Sequence, residues 1–336
     1  MKKKIALILA VALCLSLFVG CSSKGANAPK EEVLEIKVGH GVAETTAMHQ
    51  GWLKFKELVE QKSDGKITVK IFPNQQLGGD RELIEAVQLG NVTMTSPSTA
   101  PLAAFDPAFF VLDIPFLFSD RDMVYEVLDG QVGQSLLDTL KEYNIKGLGY
   151  WENGFRNFTN SKLPVRAPQE LSGIKIRTME NEIHMKAWSL LGANPTPMAF
   201  GELYTALQQK TVDAQENPLE LIYATKFQEV QKYITKTQHI YSAYIPLMNN
   251  EFFNNLSSEY QEIITESIKE ATAEQRQIAG KNDKEFEEKM RSTNEVIDLS
   301  SDEKQAFRDK MAPVLDLVKT KAGEDMVSAF IEATGY

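Results

Sequence analysis

Asn153-Gly154-Phe155-Arg156, Gly173-Ile174-Lys175-Ile176-Arg177 and Val212-Asp213-Ala214-Gln215-Glu216-Asn217-Pro218 decide how this 336-residue chain is read. Each follows or contains a segment of strand character and closes on a polar side chain. Ile145 to Trp151 leads to Arg156, Ile174 and Ile176 alternate with Lys175 and Arg177, and Thr211 to Gln215 leads to Asn217. In an open α/β sheet, ligands bind outside the carboxyl ends of the strands. The three segments therefore bring two guanidiniums and a carboxamide to one crevice. That set suits a small carboxylate, because a planar guanidinium matches two oxygens where an ammonium is only a point charge.

The same strand and helix periods continue on both sides. Ile36 and Val38 share one face of Glu35 to Gly39, and Ile67, Val69 and Ile71 repeat the pattern. Between them Thr45 or Thr46 caps a helix carrying Trp52, Phe55, Leu58 and Val59 at helical spacing, which makes a right-handed βαβ unit. Asp80 opens a second helix closed by Gly90, and Val92 to Thr95 is the next strand, running into Ser96 to Thr99. Further helices are expected over Asn181 to Leu191 and Gly201 to Lys210, with Glu216-Asn217-Pro218 starting another. From Ser257 an amphipathic pattern runs to about Asn294, opened by Ser258 and Gln261 at capping-box spacing. Unbroken, it is about 55 Å long, more than one lobe needs and suited to lying across two. The fold class is therefore α/β, with two lobes, hinge strands near residues 153 and 242, and a long helix spanning both. The expected division is 33–153 with 242–280 for the first lobe and 154–241 with 281–336 for the second. Loops at strand ends, from His40 to Glu44, Ser96 to Thr99, Asn153 to Arg156, Arg177 to Thr178 and Glu216 to Asn217, then face one cleft from both sides.

The amino terminus reads as an export signal over residues 1–20. Lys2, Lys3 and Lys4 precede an apolar run from Ile5 to Val19, too short to span a bilayer as a helix. It ends Leu17-Phe18-Val19-Gly20-Cys21-Ser22, similar to a lipobox in which Cys21 becomes the lipidated first residue; the competing reading is an ordinary secretory signal with an incidental cysteine. Residues 21–32 have almost no apolar side chains and read as a flexible tether. The other cysteine, Cys14, lies in the discarded segment, so the exported domain has no disulfide and is held by packing. The expected location is extracytoplasmic, lipid-anchored to the cell membrane. A formal charge of -10 argues against a nucleic-acid partner and leaves any attraction of an anion to local arginines.

These segments, with Gln76-Leu77-Gly78-Gly79-Asp80-Arg81, Asp113-Ile114-Pro115-Phe116-Leu117-Phe118 and Pro195-Thr196-Pro197-Met198-Ala199-Phe200, closely resemble the solute-binding proteins of tripartite ATP-independent periplasmic (TRAP) transporters, the DctP-like family. Lys210 and Ala214 stand where that family commonly has glycine, which bears on local turn geometry. The resemblance implies a receptor, with no cofactor and no chemistry of its own, that delivers a small carboxylate to TRAP membrane subunits driven by an ion gradient. A monomer is expected.

By the same resemblance Arg177 is the principal carboxylate-binding residue and Arg156 the second donor. Their bland readings are a surface arginine at a strand end and a structural pair with an acid such as Glu152. Asn217 is a donor and acceptor for the ligand, or a helix N-cap. Phe200 packs against the ligand, or is simply core. Ser98 lies in a ligand-facing loop, and Tyr241 and Tyr244 lie near the second hinge. The pattern His40-x-x-x-Glu44 resembles members that take hydroxylated sugar acids, and a carboxylate there favours hydroxyls over a second negative charge. That argument lapses if Glu44 only caps the helix after it and His40 is structural. The expected ligand is a hexuronate such as D-glucuronate or D-galacturonate, with a C4-dicarboxylate or keto acid as the runner-up.

Enzymatic alternatives have little to stand on. Ser63-Asp64-Gly65-Lys66 fits Ser-x-x-Lys but falls in a polar turn, and there is no Gly-x-Ser-x-Gly, phosphate-cradling loop or His-Glu-x-x-His. The four histidines, His40, His49, His184 and His239, form no zinc-binding set with cysteine. An exported sugar-acid lyase or hydrolase is the remaining enzyme reading.

Overall fold

The computed structural model describes residues 33–336, so the expected signal, the Cys21 lipidation site and the tether lie outside the described residues. Two sheets carry the architecture. The first has strands β1 (Leu34–Gly39), β2 (Ile67–Phe72), β3 (Met94–Thr95), β4 (Ile145–Gly147) and β12 (Leu247–Asn249) in the order β2-β1-β3-β12-β4. Here β1 runs parallel to β2 and β3, while β12 runs antiparallel to β3 and β4. The second sheet has β6 (Asn157–Asn160), β7 (Lys175–Thr178), β8 (Asn194–Pro197), β9 (Ala214–Asn217), β10 (Tyr233–Lys236) and β13 (Glu295–Asp298) in the order β13-β10-β6-β9-β7-β8. Between them β5 (Trp151–Phe155) and β11 (Tyr241–Tyr244) form an antiparallel two-stranded ribbon. The chain passes from one sheet to the other through these two strands and a third time along the helix that precedes β13, which gives the molecule two lobes.

The run from Ile145 to Trp151 was expected to be one strand; it is two segments in different sheets. Gly149 lies between them with φ +147°, a conformation that breaks the extended run and that glycine adopts without strain. Asn153 to Phe155 are consequently strand residues of the ribbon and not a loop at a strand end.

The long helix is present as α7 (Ser258–Thr293), 36 residues and so about 54 Å. Its N-cap is Ser257, whose side chain accepts from Tyr260 N, and not Ser258. Gln261 is not part of a capping box; its amide donates to Phe253 O and Leu256 O, closing the preceding helical turn. Ile263, Ile264, Ile268 and Ala271 bury one face of α7 against α1 (Ala47–Lys62), which covers the first sheet, and its far end reaches α6 (Leu219–Ala224) and β13. Midway, Gln275 accepts from Glu152 N at 2.8 Å and donates to Glu152 O at 2.7 Å, so one amide side chain pairs with the ribbon strand as another strand would. Three C-terminal helices, α8 (Ser301–Met311), α9 (Val314–Ala322) and α10 (Glu324–Thr334), pack on the helical region between residues 107 and 139 and on α4 (Glu182–Leu190). They therefore touch both lobes.

Candidate functional site

A cleft of about 630 Å³, counting its mouth, opens between the lobes where the strand ends converge. From the first lobe it is lined by Gly41 and Val42 after β1, Gln75 after β2, Asp80 at the start of α2 (Asp80–Gln88), and Ser98 after β3. Asn153 and Tyr244 reach it from the ribbon, and Arg156, Arg177, Met198, Phe200, Asn217 and Leu221 from the second lobe.

Arg177 is the cleft arginine that is both buried and left with an unpartnered nitrogen among the described residues. It ends the strand alternation begun by Ile176, is only 2 % exposed, and donates from Nε to Met198 O at 2.9 Å. Its Nη1 is buried with no hydrogen-bond partner among the described residues. Burial lowers the guanidinium to about 10, with Arg156 adding to the effect against the pull of Glu216, Asp80 and Glu180. It stays charged at neutral pH, a buried cation whose Nη1 is bonded to no carboxylate among the described residues. Buried polar groups rarely remain unpaired without a functional reason.

Arg156 is differently placed. Its Nε and Nη2 form a fork on the carboxylate of Glu216, Nη2 also donates to Glu216 O at 2.6 Å and Asn217 Oδ1 at 3.1 Å, and Nη1 donates to Ser242 Oγ at 3.2 Å. The register Asn157↔Asn217 and Phe158↔Glu216 between β6 and β9 brings these groups together. Glu216 is fully buried; burial alone would raise its carboxyl, but Arg156 and the nearby His184 and His239 hold it well below the usual carboxylate range. Glu152, the acid named in the alternative structural reading of Arg156, instead accepts from Arg121 Nε at 3.0 Å, Tyr125 at 2.8 Å and Tyr241 at 2.6 Å. Arg156 thus lines the cleft while most of its N–H groups serve the protein. Of the two expected donors, Arg177 keeps an unpartnered nitrogen among the described residues and Arg156 is paired with Glu216.

Asn217 lines the cleft from the end of β9, with Oδ1 facing Arg156 and Nδ2 facing Gln215 Oε1. It is not a helix N-cap: Pro218 holds that position, and the pairing with Asn157 keeps Asn217 in the sheet. Ser98 Oγ, Asn153 Oδ1 and the Tyr244 hydroxyl are buried without partners among the described residues, and all three residues border the cleft. Burial pushes the Tyr244 phenol well up, so it remains a donor. Phe200 supplies an apolar wall and packs edge-on against Phe227 at 5.8 Å.

Three expected residues do not line this cleft. His40 is buried and faces His49 Nδ1 at 3.0 Å; burial, then His49, lowers it to about 3, so it is neutral, and its Nδ1 has no partner among the described residues. Glu44 is exposed, and it is its backbone oxygen that accepts from Gln50, near the start of α1. Tyr241 turns to Glu152 on the far side of the ribbon, because neighbouring strand residues point to opposite faces. Asp80, read from the sequence only as a helix opener, lines the cleft together with Glu82 and Glu180. Its Oδ2 accepts from Ser98 N at 3.1 Å, and burial raises its carboxyl to about 6. The available signal was its place in Gln76-Leu77-Gly78-Gly79-Asp80-Arg81; nothing local showed that the Ser98 loop folds back onto it.

Two lobes joined by a ribbon and a spanning helix, with a buried cation and unpartnered polar groups in the cleft between them, define a solute-binding receptor. Residues 38–321 match the family described as DctP, bacterial extracellular solute-binding protein, family 7. The chain is 35 % identical over 276 residues to the 2,3-diketo-L-gulonate-binding periplasmic protein of Escherichia coli, covering 82 % of this chain and 84 % of that one. It superimposes with TM-score 0.87 on the sugar acid binding protein of Advenella mimigardefordensis in complex with galactonate, at 38 % identity, covering 90 % of this chain and 97 % of the other. A TRAP periplasmic solute-binding protein of Shewanella oneidensis with bound succinate gives TM-score 0.86 and 35 % identity, with 90 % and 99 % covered. The chain belongs to the DctP family of TRAP solute-binding proteins, a family of extracytoplasmic transport receptors and not of enzymes.

Proposed function

We propose that this protein closes on a monocarboxylic sugar acid, first among them a hexuronate such as D-glucuronate or D-galacturonate, and delivers it to TRAP membrane subunits. The observation that carries the reading is Arg177, a buried guanidinium whose Nη1 has no partner among the described residues, in a cleft that also buries polar atoms of Ser98, Asn153 and Tyr244 likewise unpartnered there. One carboxylate takes the guanidinium. Hydroxyls, each both donor and acceptor, match the remaining set, and the Asp80 carboxylate accepts from hydroxyls but repels a second anionic end. Asp80 thus takes over the role that the sequence gave to Glu44. Arg156 and Asn217 border the carboxylate subsite, with Arg156 contributing through Nη1, and Phe200 covers the apolar edge of the ligand. The galactonate-bound relative supports this reading.

The succinate-bound relative favours the alternative, a C4-dicarboxylate held by the same Arg177. A thermal-shift and calorimetric panel of uronates, aldonates, dicarboxylates and keto acids separates the two. Response to hexuronates or hexonates is expected; response to succinate or pyruvate alone overturns the sugar-acid reading. Product formed from any acid during the same incubations would show chemistry that a receptor does not perform. The reading extends to Cys21 as a lipid anchor for the cell membrane, to the lobe division 33–153 with 242–280 and 154–241 with 281–336, and to a monomeric receptor. Palmitate labelling that Cys21→Ala abolishes tests the anchor.

A further inference from the structure

The cleft that holds Arg177 has a neighbour. On the other side of Gln75 and Phe200 lies a second concavity between the lobes, about 770 Å³ with its mouth, bounded by Gly41 and Ala43 from the first lobe and Gly201, Tyr204 and Phe227 from the second. Gly41, Gln75 and Phe200 belong to both linings. The two spaces are therefore divided by two side chains, one from each lobe.

Gln75 is the half of this wall that the surroundings are shaped around. A Cβ on Gly201 would collide with its Oε1 and lie 3.0 Å from its Cδ and Nε2, and one on Gly41 would lie 3.6 Å from its Cγ. Neither glycine has a positive φ; at Gly201 the missing Cβ is what leaves room for the glutamine side chain, whereas a Cβ at Gly41 would meet it in ordinary contact. The backbone beneath it is fixed in an uncommon conformation. Asn74 and Gln75 have φ of +54° and +60°, held by Asn74 N donating to Val42 O, Gln75 N to His40 O and Gly78 N to Gln75 O at 3.0–3.1 Å. Non-glycine residues in this region carry strain that tends to be kept at ligand clamps. Its amide makes no hydrogen bond to the described residues, so the side chain is aimed without being tied.

We propose that Gln75 is a specificity-determining residue: a partition whose amide closes the Arg177 cleft at the length of a single sugar acid and excludes longer acids. The proposal rests on the reading of the Arg177 cleft as a carboxylate site. Cutting back the partition joins the two spaces. An acid anchored by its carboxylate at Arg177 then extends toward Tyr204 and Phe227, whose rings suit the face of a second sugar.

Calorimetric titration of the full chain with D-galactonate, D-glucuronate and lactobionate, a gluconate bearing one galactose, tests this in the wild type, Gln75→Ala and Gln75→Leu. The wild type is expected to bind at least one single-sugar acid at least 100-fold more tightly than lactobionate. Gln75→Ala is expected to gain lactobionate binding by at least 10-fold while its affinity for the single-sugar acid changes by less than that. Gln75→Leu, which keeps the bulk of the wall, is expected to stay selective. Unchanged discrimination by Gln75→Ala, equal gain by Gln75→Leu, or tight lactobionate binding by the wild type overturns the partition and leaves the carboxylate site standing. Failure of every acid to bind the wild type brings down the carboxylate reading and the partition with it.

Discussion

Replacing Arg177 by methionine separates a binding charge from a structural one. Burial pulls the guanidinium below its ordinary value to about 10, and at about 1.4 kcal/mol per pKa unit the charge sits roughly 3 kcal/mol above its state in water. A ligand carboxylate relieves that burden; losing one partner of such a pair costs about 2–5 kcal/mol. At ~3 kcal/mol the Kd rises about 150-fold. With ligand at about 100 times the wild-type Kd, the wild type gains about 2.7 kcal/mol of stability and the variant only about 0.3 kcal/mol. The ligand-free protein behaves differently. Methionine removes the unpaired charge and forfeits the bond from Nε to Met198 O, about 1.5–3 kcal/mol for a charged donor. The two changes nearly cancel. The assay is thermal unfolding with and without a hexuronate: the apo midpoint is expected to stay within about 3 °C of wild type while the ligand-induced shift disappears. A full ligand shift in Arg177→Met refutes the binding role, and a collapse of the apo midpoint shows that the charge holds the fold.

Two further predictions concern stability. Glu220 on α6 accepts from Ala47 N at 2.8 Å and Asn282 Nδ2 at 2.7 Å, tying the second lobe to the start of α1, with Asp283 and Glu152 as its charged neighbours; burial, then those acids, push its carboxyl up to about 7. A raised carboxyl stabilises the fold below its unfolded pKa, and that stability is lost as pH rises from about 4.5 through about 7, up to about 3 kcal/mol. Glu220→Gln keeps the acceptor and removes the titration, so denaturant unfolding is expected to give equal stability at pH 4.5 and a more stable variant at pH 8; parallel pH profiles contradict this. Lys210 follows α5 (Leu203–Gln208) with φ +57°, a left-handed position where a side chain costs about 1–2 kcal/mol. Lys210→Gly is expected to stabilise by about 0.5–1 kcal/mol after its own unfolded-state entropy; destabilisation measured in urea counts against the turn.

The parts of this fold set by local pattern were legible. Ile36 with Val38 and Ile67 with Val69 mark the parallel pair β1 and β2, and the amphipathic run from Ser257 gives α7 to within a residue. What escaped the sequence depends on partners far along the chain. A break at Gly149 sends one apolar run into two sheets, and Asn217 stays in β9 because Asn157 pairs with it. Glu216 claims Arg156 across that same pairing, while Glu152, close in sequence, faces Arg121. The site shows the same limit. Arg177, Ser98 and Phe200 follow from strand-end position and motif and Tyr244 from its place near the second hinge, whereas Asp80 enters the cleft where the loop at Ser98 returns to it. His40 and Glu44 sit beside the cleft in sequence and outside its lining in space.

The account turns on where a ligand's carboxylate sits. A crystal structure of the intact protein with D-glucuronate or D-galactonate measures it directly. A carboxylate oxygen within about 2.7–2.9 Å of Arg177 Nη1, the spacing of a charge-assisted hydrogen bond, is the predicted result. A ligand bound with its carboxylate elsewhere, and Arg177 Nη1 touching only hydroxyls or water, would contradict it.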